Sequence, residues 1–174
     1  SEYVKPISHA RILDIGCGTG SVLKYIDKNT NVDYVGCDIN SNYIRHANEK
    51  FNGKGSFYCC SANNLPSEES GFDIILAIAI LHHLDDATSI NLINSAKRKL
   101  KQEGSFFIAE PVWTENQSGF EKYLMKNDRG KNIKTEKEYL AMVKNSFSFL
   151  ESKIICDSHF IPWTVNVIVC KNSL

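Results

Sequence analysis

The chain has 174 residues, 43% of them apolar and 23% charged, with 20 Lys and Arg against 20 Asp and Glu. That length allows one domain with a substantial core, and the balanced charge gives no electrostatic footprint for nucleic acid or an anionic membrane. The longest apolar run, Ile74 to Leu81, falls far short of the ~20 residues that span a bilayer, and no secretory leader is visible from Ser1 onward. The six cysteines, at 17, 37, 59, 60, 156 and 170, form no C-x-x-C pair. They read as reduced, mostly buried thiols of a cytoplasmic protein. His82 and His83 lack a further ligand at metal-binding spacing, so no metal is expected.

Taken in chain order, strands and helices alternate. Ala10–Ile15 is a short apolar strand running into the glycine-rich "GCGTG", after which Ser21–Asp27 is predicted to begin a helix. Val32–Asp38 is the next strand, and Asn40–Phe51 is a helix capped by Asn40 or Ser41. Ser56–Cys60 makes a third strand. "FDIILAIAI" is continuously apolar, as a central parallel strand buried on both faces should be. A helix from Asp86 to about Lys101 ends in Lys and Arg, which suits the helix dipole. "GSFFIAEP" is a fifth strand that Pro111 is expected to stop. Residues 112–134 are polar, aromatic-studded and too long for a simple connection, which predicts a lid or substrate-facing insert. Thr135 and Glu138 form a capping box for a helix toward Ser146. Phe149–Cys156 and Thr164–Lys171 are the last two strands, joined by a loop holding Pro162 and Trp163. Such alternation predicts an α/β, Rossmann-like doubly wound sheet within one domain spanning residues 1–174.

The loop "ILDIGCGTG" selects the cofactor. Gly16, Gly18 and Gly20 occupy a strand-to-helix turn where missing side chains let a ligand approach the backbone. A dinucleotide loop would place its third glycine at position 21, which is Ser21. Asp14, two places before Gly16, would repel phosphate and suits an ammonium group. Asp38 closes the second strand and suits ribose hydroxyls. Ammonium plus ribose without pyrophosphate describes S-adenosylmethionine, and leaves a nicotinamide oxidoreductase as the weaker reading.

These residues resemble the class I S-adenosylmethionine-dependent methyltransferase family over most of the chain. "ILDIGCGTG" is similar to its first motif and "YVGCDIN" to its second. "FDIILAIAILHHL" and "LKQEGSFFIAEP" resemble the fourth- and fifth-strand motifs. The resemblance implies about seven strands, mostly parallel, with an antiparallel C-terminal strand. It places Asp14, Gly16, Cys17, Gly18 and Gly20 at the methionine end of the cofactor and Asp38 on the ribose. Ile39 would pack on the adenine, Ser61 and Ala62 would meet its edge, and Ala77 and Ile78 would lie below the sulfonium. Many relatives carry Asp where this chain has Ser61, so a hydroxyl, or Asn63, would accept the adenine amino group. "DRGKNIKTEKEYLAMVK" further resembles a segment of small bacterial relatives.

The expected acceptor is the oxygen or nitrogen of a small metabolite. The Asn-Pro-Pro-Tyr type of tetrapeptide used on base amino groups is missing after the fourth strand, and no basic extension for a large nucleic acid is present. Nothing in the sequence fixes the oligomeric state. Because the loop comes so early, the substrate is covered either by a segment preceding Ser1 or by residues 112–134. Two readings of His83 stand open: a base near the methyl acceptor, or a buried histidine bonded to backbone, with His82 pointing outward in either case. Arg129 is either a contact for an anionic substrate or, more simply, a surface charge. A non-catalytic cofactor-binding partner of another methyltransferase is the alternative for the whole chain.

Overall fold

A computed structural model describes residues 9–26, 30–65, 69–157 and 163–172. The strands are β1 (Arg11–Ile15), β2 (Asp33–Asp38), β3 (Ser56–Cys59), β4 (Phe72–Ile78), β5 (Leu100–Trp113), β6 (Lys134–Thr135), β7 (Phe149–Asp157) and β8 (Trp163–Lys171). Between them lie α1 (Ser41–Lys50), α2 (Asp86–Lys99), α3 (Gly119–Lys126) and α4 (Glu136–Val143). The sheet order is β3-β2-β1-β4-β5-β8-β7, with the two-residue β6 paired to the far end of β5. β1 to β5 run parallel, whereas β8 is antiparallel to both of its neighbours. This is the predicted Rossmann-like α/β sheet.

Period-two side-chain alternation divides the core between the two faces of the sheet. Leu13, Ile15, Val35, Cys37, Ile75 and Ala77 point to one face, where Leu92, Ile93 and Ala96 of α2 and Tyr139 and Val143 of α4 cover them. Ile12, Tyr34, Ile74 and Leu76 point to the other, against Val22, Leu23, Ile26 and Phe57. β4 is buried along both faces, which is why its sequence is an unbroken apolar run.

The parallel strands all begin at one edge and end at the other. At the amino edge, Arg11 binds Asp33 at 2.7 Å and Glu69 at 2.6 Å, and donates to the Ser70 carbonyl. The carboxyl edge collects the ends of β1, β2, β3 and β4, the place where ligands sit in open α/β sheets.

The Asn40 cap and the Thr135–Glu138 box are as the sequence predicts, and Asp85 caps α2 as well. Asn40 accepts from the amides of Asn42 and Tyr43, Asp85 from Thr88, and the Thr135–Glu138 capping box is complete. Two expectations fail. The helix predicted over Ser21–Asp27 is only a 3-10 turn, Ser21–Lys24. Its capping position is Gly20, which has no side chain to bind the orphan amides, and none of its residues is buried. Pro111 does not stop β5, which continues to Trp113. β4 pairs with β5 only as far as Ile78 opposite Ala109, so no β4 carbonyl needs an amide from Pro111. Asp27 and Pro162 lie outside the described residues.

The candidate active site

The glycine-rich turn is bound to the end of β2 by hydrogen bonds. The amides of Gly16 and Cys17 both donate to the Cys37 carbonyl, at 2.8 and 3.1 Å. Gly18 N donates to Asp38 Oδ2 at 3.0 Å, while Asn40 N donates to Asp38 Oδ1 at 2.8 Å. Each carboxylate oxygen of Asp38 therefore holds one amide and keeps a lone pair for a further donor. Gly16, Gly18 and Gly20 all have positive φ, of 73°, 54° and 72°. At Gly16 the need is also steric: a Cβ there would stand 2.5 Å from Ile80 Cδ1.

Asp14 lies behind the turn, only 2% exposed, and accepts a 2.5 Å bond from the Tyr34 hydroxyl. Burial, with a smaller contribution from Asp38, pushes its carboxyl up to about 7, although the Tyr34 bond opposes the shift. Burial likewise pushes the Cys17 thiol up, and that of Cys37 to about 12, so both are inert apolar groups. Cys59 and Cys156 are exposed, against the expectation of mostly buried thiols.

The remaining candidates share this edge. Ile39 follows β2 and is 80% exposed. Ser61 is half-buried, and the buried Ala62 accepts from Ser95 Oγ through its carbonyl at 3.4 Å. Asn63 is exposed. Ala77 is fully buried in register with Ile15 and Ile108, and Ile78 emerges beyond it. Ala79 then takes a positive φ of 52°, a strained value for a residue with a Cβ, and turns the chain over the sheet edge.

Past that turn the histidines are reversed. His82 is buried and His83 exposed, because Glu110 at the end of β5 draws His82 inward. Glu110 Oε1 accepts from the amides of Ile80 and Leu81 at 2.8 and 2.7 Å, and Oε2 lies 2.6 Å from His82 Nδ1. Since Glu110 already acts as an acceptor for backbone amides, Nδ1 carries the proton and donates. On the other side, His82 Nε2 lies 3.2 Å from Asp128 Oδ2. The His83 ring lies 4.1 Å from that of His82; partial desolvation and the neighbouring ring lower its imidazole below the usual value.

Residues 112–134 run from the end of β5 through α3 and a turn into β6. Glu121 accepts from Gln117 Nε2 at 3.0 Å and from Thr164 N at 2.7 Å, which ties α3 to β8. Asn132 N donates to the His82 carbonyl at 2.9 Å, and Gly130 packs on the His82 ring so closely that a Cβ would stand 1.8 Å from Cδ2. Arg129 is exposed. Glu110 and Asp128 were missed in the sequence. The signal for Glu110 was present, a lone acid closing an otherwise apolar strand; Asp128 carries none, because its partner is 46 positions away along the chain.

Residues 12–104 match the family described as methyltransferase domain. The chain belongs to that family. This methyltransferase domain is of the class I, S-adenosylmethionine-dependent type. It is 36% identical over 114 residues to the probable tRNA methyltransferase 9B of Homo sapiens, a match covering 64% of this chain and 23% of that protein. It is 27% identical over 116 residues to the 27-O-demethylrifamycin SV methyltransferase of Amycolatopsis mediterranei, covering 64% and 42% respectively. The domain therefore spans less than half the length of these relatives. Among solved structures, the plantazolicin methyltransferase BpumL, in complex with a triazolic desmethylPZN analog and SAH, superposes with a TM-score of 0.70 at 24% identity. That superposition covers 94% of this chain and 77% of the other, and supports the fold. No helix among the described residues is long and apolar enough to cross a membrane.

Proposed function

We propose that this methyltransferase domain moves a methyl group from S-adenosylmethionine to an oxygen or nitrogen of a small metabolite. The observation that carries the reading is the Asp38 carboxylate, fixed by two backbone amides at the end of β2 with lone pairs to spare. The donor set fits the cofactor: Asp38 suits two vicinal hydroxyls, and the buried Asp14 suits a cation. Cys17 and the three glycines would line the methionine end, Ile39, Ser61 and Ala62 the adenine, and Ala77 and Ile78 the floor beneath the sulfonium. When bound, the cofactor supplies an already activated methyl group, open to in-line displacement. The protein's own part is alignment, which contributes ~7–11 kcal/mol in well-oriented reactions. His83, exposed just beyond β4, is the proposed acceptor-side residue, and the insert over residues 112–134 is the proposed border of the acceptor pocket.

A tRNA acceptor is the second reading, favoured by the similarity to the probable tRNA methyltransferase 9B. Incubation with methyl-labelled S-adenosylmethionine separates the two. Label in a panel of small hydroxyl and amine compounds supports the first, and label confined to bulk tRNA replaces it with the second. Binding of S-adenosylhomocysteine without label in either fraction would favour a non-catalytic partner.

A further inference from the structure

We propose that His82, His83 and Asp128 form a binding site for one divalent first-row transition-metal ion, with Glu110 orienting His82 from behind. The site rests on this cluster's geometry and not on the methyl-transfer reading.

One ligating nitrogen of each histidine and one Asp128 oxygen lie within 4.8 Å of one another. The two atoms already fixed by packing, His82 Nε2 and Asp128 Oδ2, are 3.2 Å apart. Ligands bound at ~2.0–2.2 Å around one ion stand about that far from each other. His83 is exposed, with its ring 4.1 Å from that of His82.

The second observation is the state of His82. Its Nδ1 proton is given to Glu110 at 2.6 Å, which leaves Nε2 as the outward-facing nitrogen. A carboxylate behind a histidine that faces an acid in front is the arrangement that orients metal-bound imidazoles. A metal ion would sit between Nε2 and Asp128 Oδ2, which stand 3.2 Å apart.

The third observation is the backbone. Gly130 lies against the His82 ring where no side chain fits, and Asn132 N binds the His82 carbonyl. The turn carrying Asp128 is thereby held onto the histidine pair from a distant part of the sequence. Two imidazoles and one carboxylate suit zinc, iron(II), cobalt or nickel better than magnesium or calcium. Three protein ligands would leave a bound ion one coordination position for water or a further ligand. The positive charge of Arg129, felt at His83, sits on an exposed side chain and is screened by solvent.

The test is titration of chelator-treated full chain with Co²⁺, read in the visible d–d bands, and with Zn²⁺ by calorimetry. The expected result is one equivalent bound, with a binding constant at least tenfold weaker in His83→Ala and in Asp128→Asn. Zn²⁺ should also raise the melting temperature of the wild-type chain more than that of His83→Ala. His83 is exposed, so its variant remains folded even if Asp128→Asn does not. Equal Zn²⁺ affinity in wild type and His83→Ala would overturn the site. So would loss of binding in His46→Ala, which would move the metal to the surface of α1. A His82 ring that NMR shows doubly protonated and unmoved by Zn²⁺ would make the cluster a metal-free ion pair. Loss of methyl transfer in His83→Ala with Zn²⁺ affinity unchanged would overturn the site and leave the proposed function standing.

Discussion

Gly16→Ala isolates how closely the glycine-rich turn meets the end of β4. The substitution has two separable costs. Gly16 has a φ of 73°, and left-handed backbone costs an L-residue ~1–2 kcal/mol, partly offset by the stiffer unfolded chain. The new methyl would also stand 2.5 Å from Ile80 Cδ1, 3.2 Å from Cγ1 and 3.3 Å from Cβ. Cδ1 and Cγ1 make the tightest of these contacts, and Glu110, by holding the Ile80 amide at 2.8 Å, limits how far the side chain can withdraw. Overpacking of this kind costs ~1–3 kcal/mol, so the expected total is about 2–4 kcal/mol. Gly53→Ala is the internal control: its φ is 74° and nothing lies within 4 Å of its Cβ position, so it should lose only the backbone part, ~1 kcal/mol. Urea denaturation with unchanged m-values measures both. Adding Ile80→Ala to Gly16→Ala should recover the clash, giving a coupling of about 1–3 kcal/mol in the double-mutant cycle. Losses that add within ~0.5 kcal/mol, or equal losses at Gly16 and Gly53, would refute the close-approach argument.

Asp38→Ala should weaken S-adenosylhomocysteine binding by ~1.5–3 kcal/mol, as for hydrogen bonds to a charged group, and calorimetry on the folded variant decides it. The proposed pairing of Asp14 with the cofactor's ammonium predicts a pH-dependent affinity. The Asp14 carboxyl, raised to about 7, must lose a proton before it can pair with an ammonium, so affinity should fall as pH drops through about 7, and less so in Asp14→Asn. The same shift acts on stability: the native carboxyl holds its proton above the ordinary value of 3.8, so ligand-free stability should fall as pH rises from about 4 to 7, with a flatter profile in Asp14→Asn. Glu121→Ala strips the buried Thr164 amide of its acceptor and should cost ~1–3 kcal/mol, seen as faster proteolysis within the insert. His83→Ala should lower turnover about 10²-fold with S-adenosylhomocysteine affinity retained, measured by initial rates and calorimetry on one preparation.

The carboxyl edge was legible wherever local pattern marks a strand end. Asp14, the three glycines and Asp38 fall at strand ends that hydrophobic runs already mark, and parallel pairing brings them to one edge. Asn40, Asp85 and the Thr135–Glu138 pair mark helix starts through short-range hydrogen bonds, which sequence records directly. The histidine pair was misjudged because its orientation is set by a long-range partner. Glu110 binds the Ile80 and Leu81 amides and His82 at once, and only β4–β5 register brings it there. Pro111 misled for the same reason: whether a proline ends a strand depends on which neighbour needs its amide, and that is a property of the sheet.

The position of β8 also orders events during synthesis. β5 is made well before its antiparallel partner, the last strand described, whose paired residues lie 54 to 66 positions downstream, with Pro111 opposite Val165 and Ser105 opposite Lys171. β7 likewise waits for β8. While the ribosome extends the chain at ~5–20 residues per second, one flank of β5 stays open for several seconds, with Phe106 and Ile108 at an unpaired edge. A nascent chain in that interval is the form most exposed to aggregation, and a chaperone that shields this flank would have its greatest effect before residue 163 leaves the exit tunnel.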